Sequence, residues 1–300
     1  MRAKFYNYIN SLFKENKDIV ILLGDIGVFP FRHSFQYDSE RIYNMGILEQ
    51  SMIGVSTGLS KKGFIPFVHS IAPFITERCY EQLKLNFGYE NVNAFLVSVG
   101  NSYDYSSLGC THHCPNDLRI VSSIPNFKTY CPGNSIDVEN IIKDNLKIKQ
   151  PKYIRLSEEE NNLRSLLPDY ESLEILNKNP GGLCIVVGNS IKDFNKLLGE
   201  RLNCTIIYTY EISDLNVNKI KSIIASLKIR KKITVVEPCH DSGIISKIAT
   251  NINNIEQLES ISIPKVFIEK YGDKALIDNH LGLNDQKIIT KLKKNYGNTN

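Results

Sequence analysis

The chain has 300 residues, of which 42% are hydrophobic and 23% charged, and its formal net charge is +4. This length is enough for two ordinary domains, each with a full core. No apolar stretch approaches the roughly 20 residues needed to cross a bilayer, and no long block of Lys and Arg indicates a binder of nucleic acid. The first residues lack the apolar core of a secretion signal, so the cytoplasm is the expected compartment.

Apolar runs rich in β-branched residues alternate with helical patterns in the first half of the chain. Strands are predicted at Ile19–Leu23, Ile65–Val68, Ala94–Val99, Phe127–Cys131 and Tyr153–Leu156. Helices are predicted at Leu48–Lys61, Phe74–Phe87, Asp117–Ser123 and Ile136–Lys147. Such alternation is typical of βαβ units, so we expect a mainly parallel sheet that is covered on both faces.

A polar stretch with acids, Asn, Pro and a closing Gly pair predicts a linker over residues 161–180. A second α/β series follows it. Strands are predicted at Leu183–Val187, Thr205–Tyr208, Ile233–Glu237 and Ile261–Phe267, and helices at Ile191–Arg201, Val217–Leu227, Ile244–Ile252 and Asp285–Lys294. The sequence therefore predicts an α/β protein of two α/β domains with mainly parallel sheets, residues 1–160 and 181–300.

The seven cysteines are an odd number scattered along the chain, so we interpret them as free thiols. Two cysteines and two histidines lie together in the segment Cys110-Thr-His-His-Cys114. Structural zinc sites usually draw on two well-separated ligand pairs, and no second pair stands at a recognisable spacing. The sequence therefore predicts no metal site, and this cluster needs another explanation.

The segment around Glu49 carries the most chemical information. A short strand ends at Asn44–Met45, and a helix begins near Ile47 after a glycine turn. Glu49 therefore falls in the first turn of a helix at the carboxyl end of a strand, where α/β proteins bind ligands. The helix is poor in charge, and Gly54 and Gly58 permit close packing against another helix or subunit. We expect a buried carboxylate; a surface acid that complements the helix dipole is the alternative.

Two segments of the first half carry recognisable motifs. The first is GILEQSMIGVSTGLSKKGFIPFVHSIAPFITERCYEQ, and the second is LGCTHHCPNDL with the later SIPNF. They resemble the Gly-Ile-x-Glu-Gln turn and the G-x-T-H-[HQ] loop of the pyrimidine-binding domain in the transketolase family of thiamine-diphosphate enzymes. The resemblance covers roughly residues 20–156 in the family's order. More weakly, Glu237-Pro-Cys-His-Asp-Ser-Gly and Lys270-Tyr-Gly-Asp-Lys resemble the transketolase C-terminal domain.

The resemblance implies cofactor contacts for four residues. Glu49 matches the glutamate that hydrogen-bonds N1′ of the aminopyrimidine and thereby promotes loss of the thiazolium C2 proton. Phe74 matches the ring that packs against the pyrimidine, and ordinary core packing is the alternative for it. Tyr80 matches a further aromatic position near the pyrimidine, and Ile47, in the matched turn, is the fourth cofactor-binding candidate.

The resemblance also implies catalytic roles for three histidines besides Glu49. His112 matches the position that contacts substrate hydroxyls and helps proton transfer during carbon–carbon cleavage, and the adjacent His113 is expected to share this work. Their presence explains the Cys/His cluster without a metal. His69 would lie near the reactive end of the cofactor. A structural histidine with satisfied hydrogen bonds is the alternative for His69.

One expected motif is missing. Transketolases anchor the diphosphate and Mg²⁺ through Gly-Asp-Gly followed by an Asn pair, and the similar Gly24-Asp-Ile-Gly27 lies upstream of Glu49 instead. The resemblance therefore implies the C-terminal subunit of a split, two-chain transketolase. A partner N-terminal subunit with the diphosphate-binding domain would hold most of the thiamine diphosphate and Mg²⁺. An α2β2 assembly is expected, and the chain alone should be inactive.

Two departures concern the substrate. Leu108 stands where many transketolases have an Asp that reads a donor hydroxyl. The family arginine that binds sugar phosphate aligns not with Arg155 but nearer Glu158, among three acids that would repel a phosphate. The resemblance implies transfer of a two-carbon ketol unit between sugars, and these two departures suggest a modified or nucleotide-linked sugar, as in cell-envelope glycan biosynthesis, as one option for the substrate. The alternatives are a subunit of a 2-oxo-acid dehydrogenase, a deoxyxylulose-phosphate-synthase-like decarboxylating enzyme, and a non-catalytic scaffold subunit.

Overall fold

In the computed structural model, which describes residues 1–299, the first half of the chain forms a six-stranded sheet. Its strands are β1 (Ile19–Leu23), β2 (Ile42–Asn44), β3 (Ile65–Ile71), β4 (Phe95–Val99), β5 (Lys128–Tyr130) and β6 (Lys152–Arg155). The order is β2-β1-β3-β4-β6-β5, and every pair is parallel. The central strands β1, β3 and β4 are buried on both faces, which explains their continuous apolar sequences.

Helices cover this sheet on both faces. They are α1 (Arg2–Glu15), α2 (Arg32–Tyr37), α3 (Glu49–Lys61), α4 (Ala72–Ile75), α5 (Tyr80–Gln82), a π-helix (Leu83–Tyr89), α6 (Asp117–Ser122) and α7 (Ser135–Asn145). The helix α1 was not predicted, although its buried residues Phe5, Ile9 and Phe13 follow a helical spacing.

The second half forms a five-stranded sheet. Its strands are β7 (Leu173–Asn177), β8 (Leu183–Val187), β9 (Thr205–Thr209), β10 (Lys232–Val236) and β11 (Gln257–Ile261). The helices of this half are α8 (Leu163–Leu166), α9 (Phe194–Gly199), α10 (Val217–Ser226), α11 (Ile244–Asn251), α12 (Lys274–Leu281) and α13 (Asp285–Tyr296). The order is β11-β10-β8-β9-β7, and only β7 runs antiparallel to its neighbour. The α/β class with mainly parallel sheets is confirmed.

Three elements differ from the sequence prediction. Residues 161–180, the predicted linker, contain α8 and the edge strand β7, which pairs with β9. The predicted strand Ile261–Phe267 is wrong, because the strand ends at Ile261 and Pro264 follows, which cannot donate to a ladder. The predicted helix Phe74–Phe87 is instead broken into α4, a turn, α5 and the π-helix.

Side chains explain the break after α4. Thr76 donates from Oγ1 to the carbonyl oxygen of Ala72 at 2.6 Å, and Cys79 donates from Sγ to that of Phe74 at 3.2 Å. Such bonds compete with the regular helical pattern. As a result, Arg78 lies in a turn and its side chain reaches the start of α3.

No helix within residues 1–299 is long and apolar enough to cross a membrane. All seven cysteines are free; Cys110 is exposed, and the others are buried. Within the described part of the chain, no group of three or more His, Cys, Asp or Glu side chains is placed to hold a metal ion.

Candidate functional site

Glu49 is the first residue of α3 and follows the end of β2 across the turn at Gly46, whose φ is +72°. Its side chain is 1% exposed. Ser70, in β3, donates from Oγ to Glu49 Oε1 at 3.0 Å, and Arg78 donates from Nη1 to Glu49 Oε2 at 2.8 Å. The carboxylate is therefore buried but held by partners on two other elements, which fixes its orientation.

The Arg78 guanidinium, which binds this carboxylate, also packs on the ring of Phe74. The guanidinium carbon of Arg78 lies 4.3 Å from the centre of the Phe74 ring. A planar, positively charged group thus donates to Glu49 and packs on an aromatic face at the same time. A heteroaromatic ring with a nitrogen that bonds to a carboxyl group would use the same two partners, so these residues fit an aminopyrimidine.

The residues around the Glu49–Arg78 ion pair are accessible to solvent. The Arg78 side chain is 41% exposed, and Ile47 and Leu48, which precede α3, are 71% and 55% exposed. Exposed apolar side chains next to a buried carboxylate are typical of a surface that receives a ligand or a partner. Tyr80 is also exposed, but its Oη lies 3.3 Å from Ser123 Oγ and it makes no hydrogen bond with Glu49 in residues 1–299.

His112 also packs on Phe74. Its ring meets the Phe74 ring edge to face, with centroids 5.2 Å apart, and Tyr105 packs on it at 6.2 Å. Nδ1 is 3.0 Å from Thr111 Oγ1, and Nε2 makes no hydrogen bond within the described residues. The Phe74 ring therefore contacts both His112 and the Arg78 guanidinium that binds Glu49, which links three of the residues that the sequence singled out.

His113 turns away from this group. It is buried, and neither ring nitrogen has a hydrogen-bond partner within residues 1–299. Burial lowers the pKa of its imidazole below the ordinary value. An aromatic neighbour is Tyr103, at 6.5 Å between ring centres. The two adjacent histidines therefore face different spaces.

His69 lies inside the sheet, in β3, and is 1% exposed. Nδ1 is 2.8 Å from the carbonyl oxygen of Val97, which can only accept, so Nδ1 carries the proton. Nε2 then accepts from the Tyr6 hydroxyl at 2.9 Å. Both nitrogens are occupied, which corresponds to the structural alternative rather than to contact with a substrate.

A pH dependence of stability follows from His69. Burial lowers its pKa from 6.5 to about 4, so the unfolded state takes up a proton that the folded state does not. The stability contributed by neutral His69 is therefore complete above pH 6.5 and is lost as the pH falls towards 4, by up to about 3 kcal/mol. Urea unfolding between pH 4 and 7 tests this. A His69→Gln variant should show a shallower slope, and an equal slope in both proteins would contradict it.

Sequence reasoning missed Ser70, Arg78 and Arg2. Arg2, in α1, donates from Nε to Tyr6 Oη at 3.0 Å, which links it to His69. Its two remaining guanidinium nitrogens make no hydrogen bond in the described chain. The helical spacing of apolar residues in α1 could have revealed this helix, but no pattern in the sequence shows which way its polar residues point.

The second half of the chain holds the loop that carries His112. Ser106 donates from Oγ to the carbonyl oxygen of Gly272 at 2.6 Å, and the Pro115 carbonyl oxygen accepts from His240 N at 2.9 Å. The Tyr271 ring covers Gly109, where an added Cβ would lie 2.1 Å from the ring and where φ is +75°. The left-handed backbone favours glycine at this position, and any added side chain would also have to displace the exposed Tyr271 ring.

Arg155 joins the two halves from within. Its side chain is fully buried, and Nε donates to Asp117 Oδ2 at 2.7 Å. Nη2 donates to Ser102 Oγ at 2.6 Å and Nη1 to the carbonyl oxygen of Pro238 at 3.2 Å. All of its nitrogens face protein partners, so Arg155 is a structural residue. Of the three acids after it, Glu159 pairs with Lys192 and Lys274 and Glu160 pairs with the N-terminal amine, whereas Glu158 makes no ion pair within residues 1–299.

Comparison with known proteins identifies the family of the chain. The family model of the transketolase pyrimidine-binding domain matches residues 1–164, and the chain therefore belongs to the transketolase family. The predicted family is confirmed.

Individual relatives and one solved structure extend this finding. An uncharacterized 33.6 kDa protein of the fasciation locus of Rhodococcoides fascians is 32% identical over 79% of this chain and 75% of its own length. A subunit of the apulose-4-phosphate transketolase of Actinobacillus succinogenes is 26% identical over 93% of both chains. A split gene transketolase, solved as an inactive beta4 tetramer, superposes with a TM-score of 0.81 at 20% identity, over 98% of this chain and 97% of that one.

Proposed function

We propose that the chain is the C-terminal, pyrimidine-domain subunit of a thiamine-diphosphate-dependent enzyme that transfers a two-carbon ketol unit between sugars. The observation that carries this proposal is the buried Glu49 carboxylate, which accepts from Ser70 and from the Arg78 guanidinium that packs on the Phe74 ring. The relative named as a subunit of a sugar-phosphate transketolase matches almost its whole length and supports the same reaction class.

The work is divided between cofactor and protein. When bound, thiamine diphosphate supplies the stabilised carbanion that this chemistry needs. Glu49 holds the ring nitrogen of the aminopyrimidine and a shared proton, and Ser70 keeps the carboxylate oriented towards it. Phe74 supports the ring face. The Arg78 side chain, which binds Glu49 and packs on Phe74 in this structure, is exposed and would move aside when the aminopyrimidine binds.

His112 is the group in this site that handles substrate protons. Its Nε2 has no partner in residues 1–299, and an imidazole can donate or accept near neutral pH. The Tyr105 ring beside it limits the space for a sugar and lies near Arg2. We propose that the free guanidinium nitrogens of Arg2 bind an anionic group of the sugar. His69 supports this wall from within the sheet and has no direct role in the reaction.

A partner subunit completes the site. We propose that an N-terminal subunit carries the diphosphate-binding domain and most ligands of Mg²⁺, in an α2β2 assembly. The exposed apolar side chains of Ile47 and Leu48 beside Glu49 support this, because such residues are normally covered. The names of the similar apulose-4-phosphate transketolase subunit and of the split gene enzyme point the same way. A modified or nucleotide-linked sugar is the proposed substrate class.

Reconstitution tests the proposal. The chain is purified alone and together with a subunit that carries the diphosphate-binding domain, and each sample receives thiamine diphosphate, Mg²⁺ and a panel of ketose donors and aldose acceptors. We expect no turnover from the chain alone and ketol transfer from the complex. Release of carbon dioxide from a 2-oxo acid without ketol transfer would favour the decarboxylating alternative. A complex that neither binds the cofactor nor turns over would favour the scaffold.

A further inference from the structure

A separate cavity, of about 460 Å³, lies between the loop that carries His112 and the second half of the chain. The loop contributes Cys110, His113 and Asn116, and the second half contributes His240 and residues 265–268. Its volume is in the range of small-molecule sites. None of the residues assigned above to the cofactor lines it.

His113 is the first sign that this cavity receives a ligand. It is 7% exposed, it lines the cavity, and neither of its nitrogens has a partner in residues 1–299. A buried polar group without a partner destabilises the fold, so such groups are normally paired. A ligand that hydrogen-bonds this imidazole would remove this destabilisation.

The other polar groups of the cavity include a lysine, an amide and a second histidine. Lys265 makes no ion pair within the described chain, and Asn116 is exposed. His240 donates from Nδ1 to the carbonyl oxygen of Ile263 at 3.1 Å, so its Nε2, which faces the cavity, donates to an anion only when the ring carries a second proton. The carboxyl group on this wall, Glu77, is exposed, so water screens its charge from a bound anion. This set of groups fits a phosphate.

The remaining wall is apolar and aromatic. Phe267 is 87% exposed and Val266 56% exposed, both next to Lys265. An exposed phenyl ring beside phosphate-binding groups offers a stacking surface for a nucleobase. We propose that this cavity binds a nucleotide, with a phosphate between Lys265, His240 and His113 and the base against Phe267.

This nucleotide site goes beyond the proposed ketol transfer. The bound molecule would contact His113, whose neighbour His112 handles substrate protons, so its presence would fix the conformation of the loop. The ligand is either a free nucleotide that acts as an effector or the nucleotide part of a nucleotide-linked sugar. Both ligands present the same phosphate and base to the cavity, and the choice of probe in the experiment distinguishes them.

Cys110 provides a built-in reporter. It lines the cavity and is exposed, whereas the other six cysteines are buried. The rate of its alkylation by iodoacetamide, followed by mass spectrometry on the full chain, should fall when the cavity is filled. Nucleoside diphosphates at about ten times their Kd should slow it about tenfold. Ribose 5-phosphate and inorganic phosphate should protect much less. Protection by a uridine diphosphate sugar but not by uridine diphosphate would assign the site to the substrate, and protection by both to an effector.

Matched variants complete the experiment. Lys265→Ala should weaken nucleotide protection about tenfold, the loss typical of one charge-assisted hydrogen bond, and Phe267→Ala should also weaken it. Lys221→Ala and Tyr89→Ala, which change exposed residues elsewhere, should leave protection unchanged. Equal alkylation rates with and without every nucleotide would overturn the proposal, as would equal protection by ribose 5-phosphate. Cys110 alkylation does not depend on ketol transfer in the wild type or in the variants. The nucleotide site and the proposed ketol transfer can therefore be refuted independently.

Discussion

Replacing Glu49 with Gln is expected to reduce the turnover of the reconstituted enzyme by about 10²–10⁴-fold, the contribution typical of a positioned proton-transfer group. The amide has nearly the same shape and still accepts a hydrogen bond from Ser70, so packing is retained. It cannot hold a proton shared with a ring nitrogen. Steady-state kinetics with saturating cofactor measure the loss, which should appear in kcat.

The matched control is Glu81→Gln. Glu81 is an exposed carboxylate in α5, close in sequence to Arg78, and makes no ion pair among residues 1–299. This variant should retain the wild-type rate, and both variants should keep the wild-type circular dichroism spectrum. A Glu49→Gln enzyme with most of the wild-type kcat would refute the assigned role.

Replacing Arg155 with Leu is expected to destabilise the fold by about 3–5 kcal/mol, the cost of breaking a buried ion pair. Both side chains of the Arg155–Asp117 pair are 0% exposed. The change would leave Asp117 with the hydroxyl of Tyr153 as its remaining side-chain donor in the described chain, and would leave Ser102 and Pro238 without their contact to this guanidinium. Urea unfolding measures the effect.

The control for this prediction is Arg230→Leu. Arg230 pairs with Glu256 at 2.5 Å, but the two side chains are 57% and 42% exposed. Exposed pairs contribute up to about 1 kcal/mol, so this variant should unfold close to the wild type. Similar midpoints for the Arg155→Leu variant and the wild type would show that the buried pair does not stabilise the fold.

The strands could be predicted because burial on both faces demands continuous apolar runs. The runs Ile19–Leu23 and Leu183–Val187 are strands with the predicted bounds. The edge strand β7 is half-buried and lies in a polar stretch, so its sequence resembles a linker. The break after α4 depends on single bonds from Thr76 and Cys79, which leave no periodic signal.

The candidate site was only partly predictable. Glu49 and His112 could be singled out because each lies in a short sequence motif that resembles the transketolase family. Arg78 reaches Glu49 only because the helix breaks before it, so its contact could not be read from a helical pattern. His69 and His113 differ in what surrounds them: His69 has two partners, and His113 has none in residues 1–299. Burial and partners of single polar residues come from tertiary packing, which the sequence does not display.

The most direct measurement follows the proton at C2 of thiamine diphosphate in the reconstituted complex, by exchange with deuterium and without any substrate. Because the Glu49 carboxylate is buried and oriented by Ser70, we predict fast exchange in the wild type and exchange close to that of the free cofactor in Glu49→Gln. Equal and fast exchange in both complexes would show that this carboxylate does not activate the cofactor.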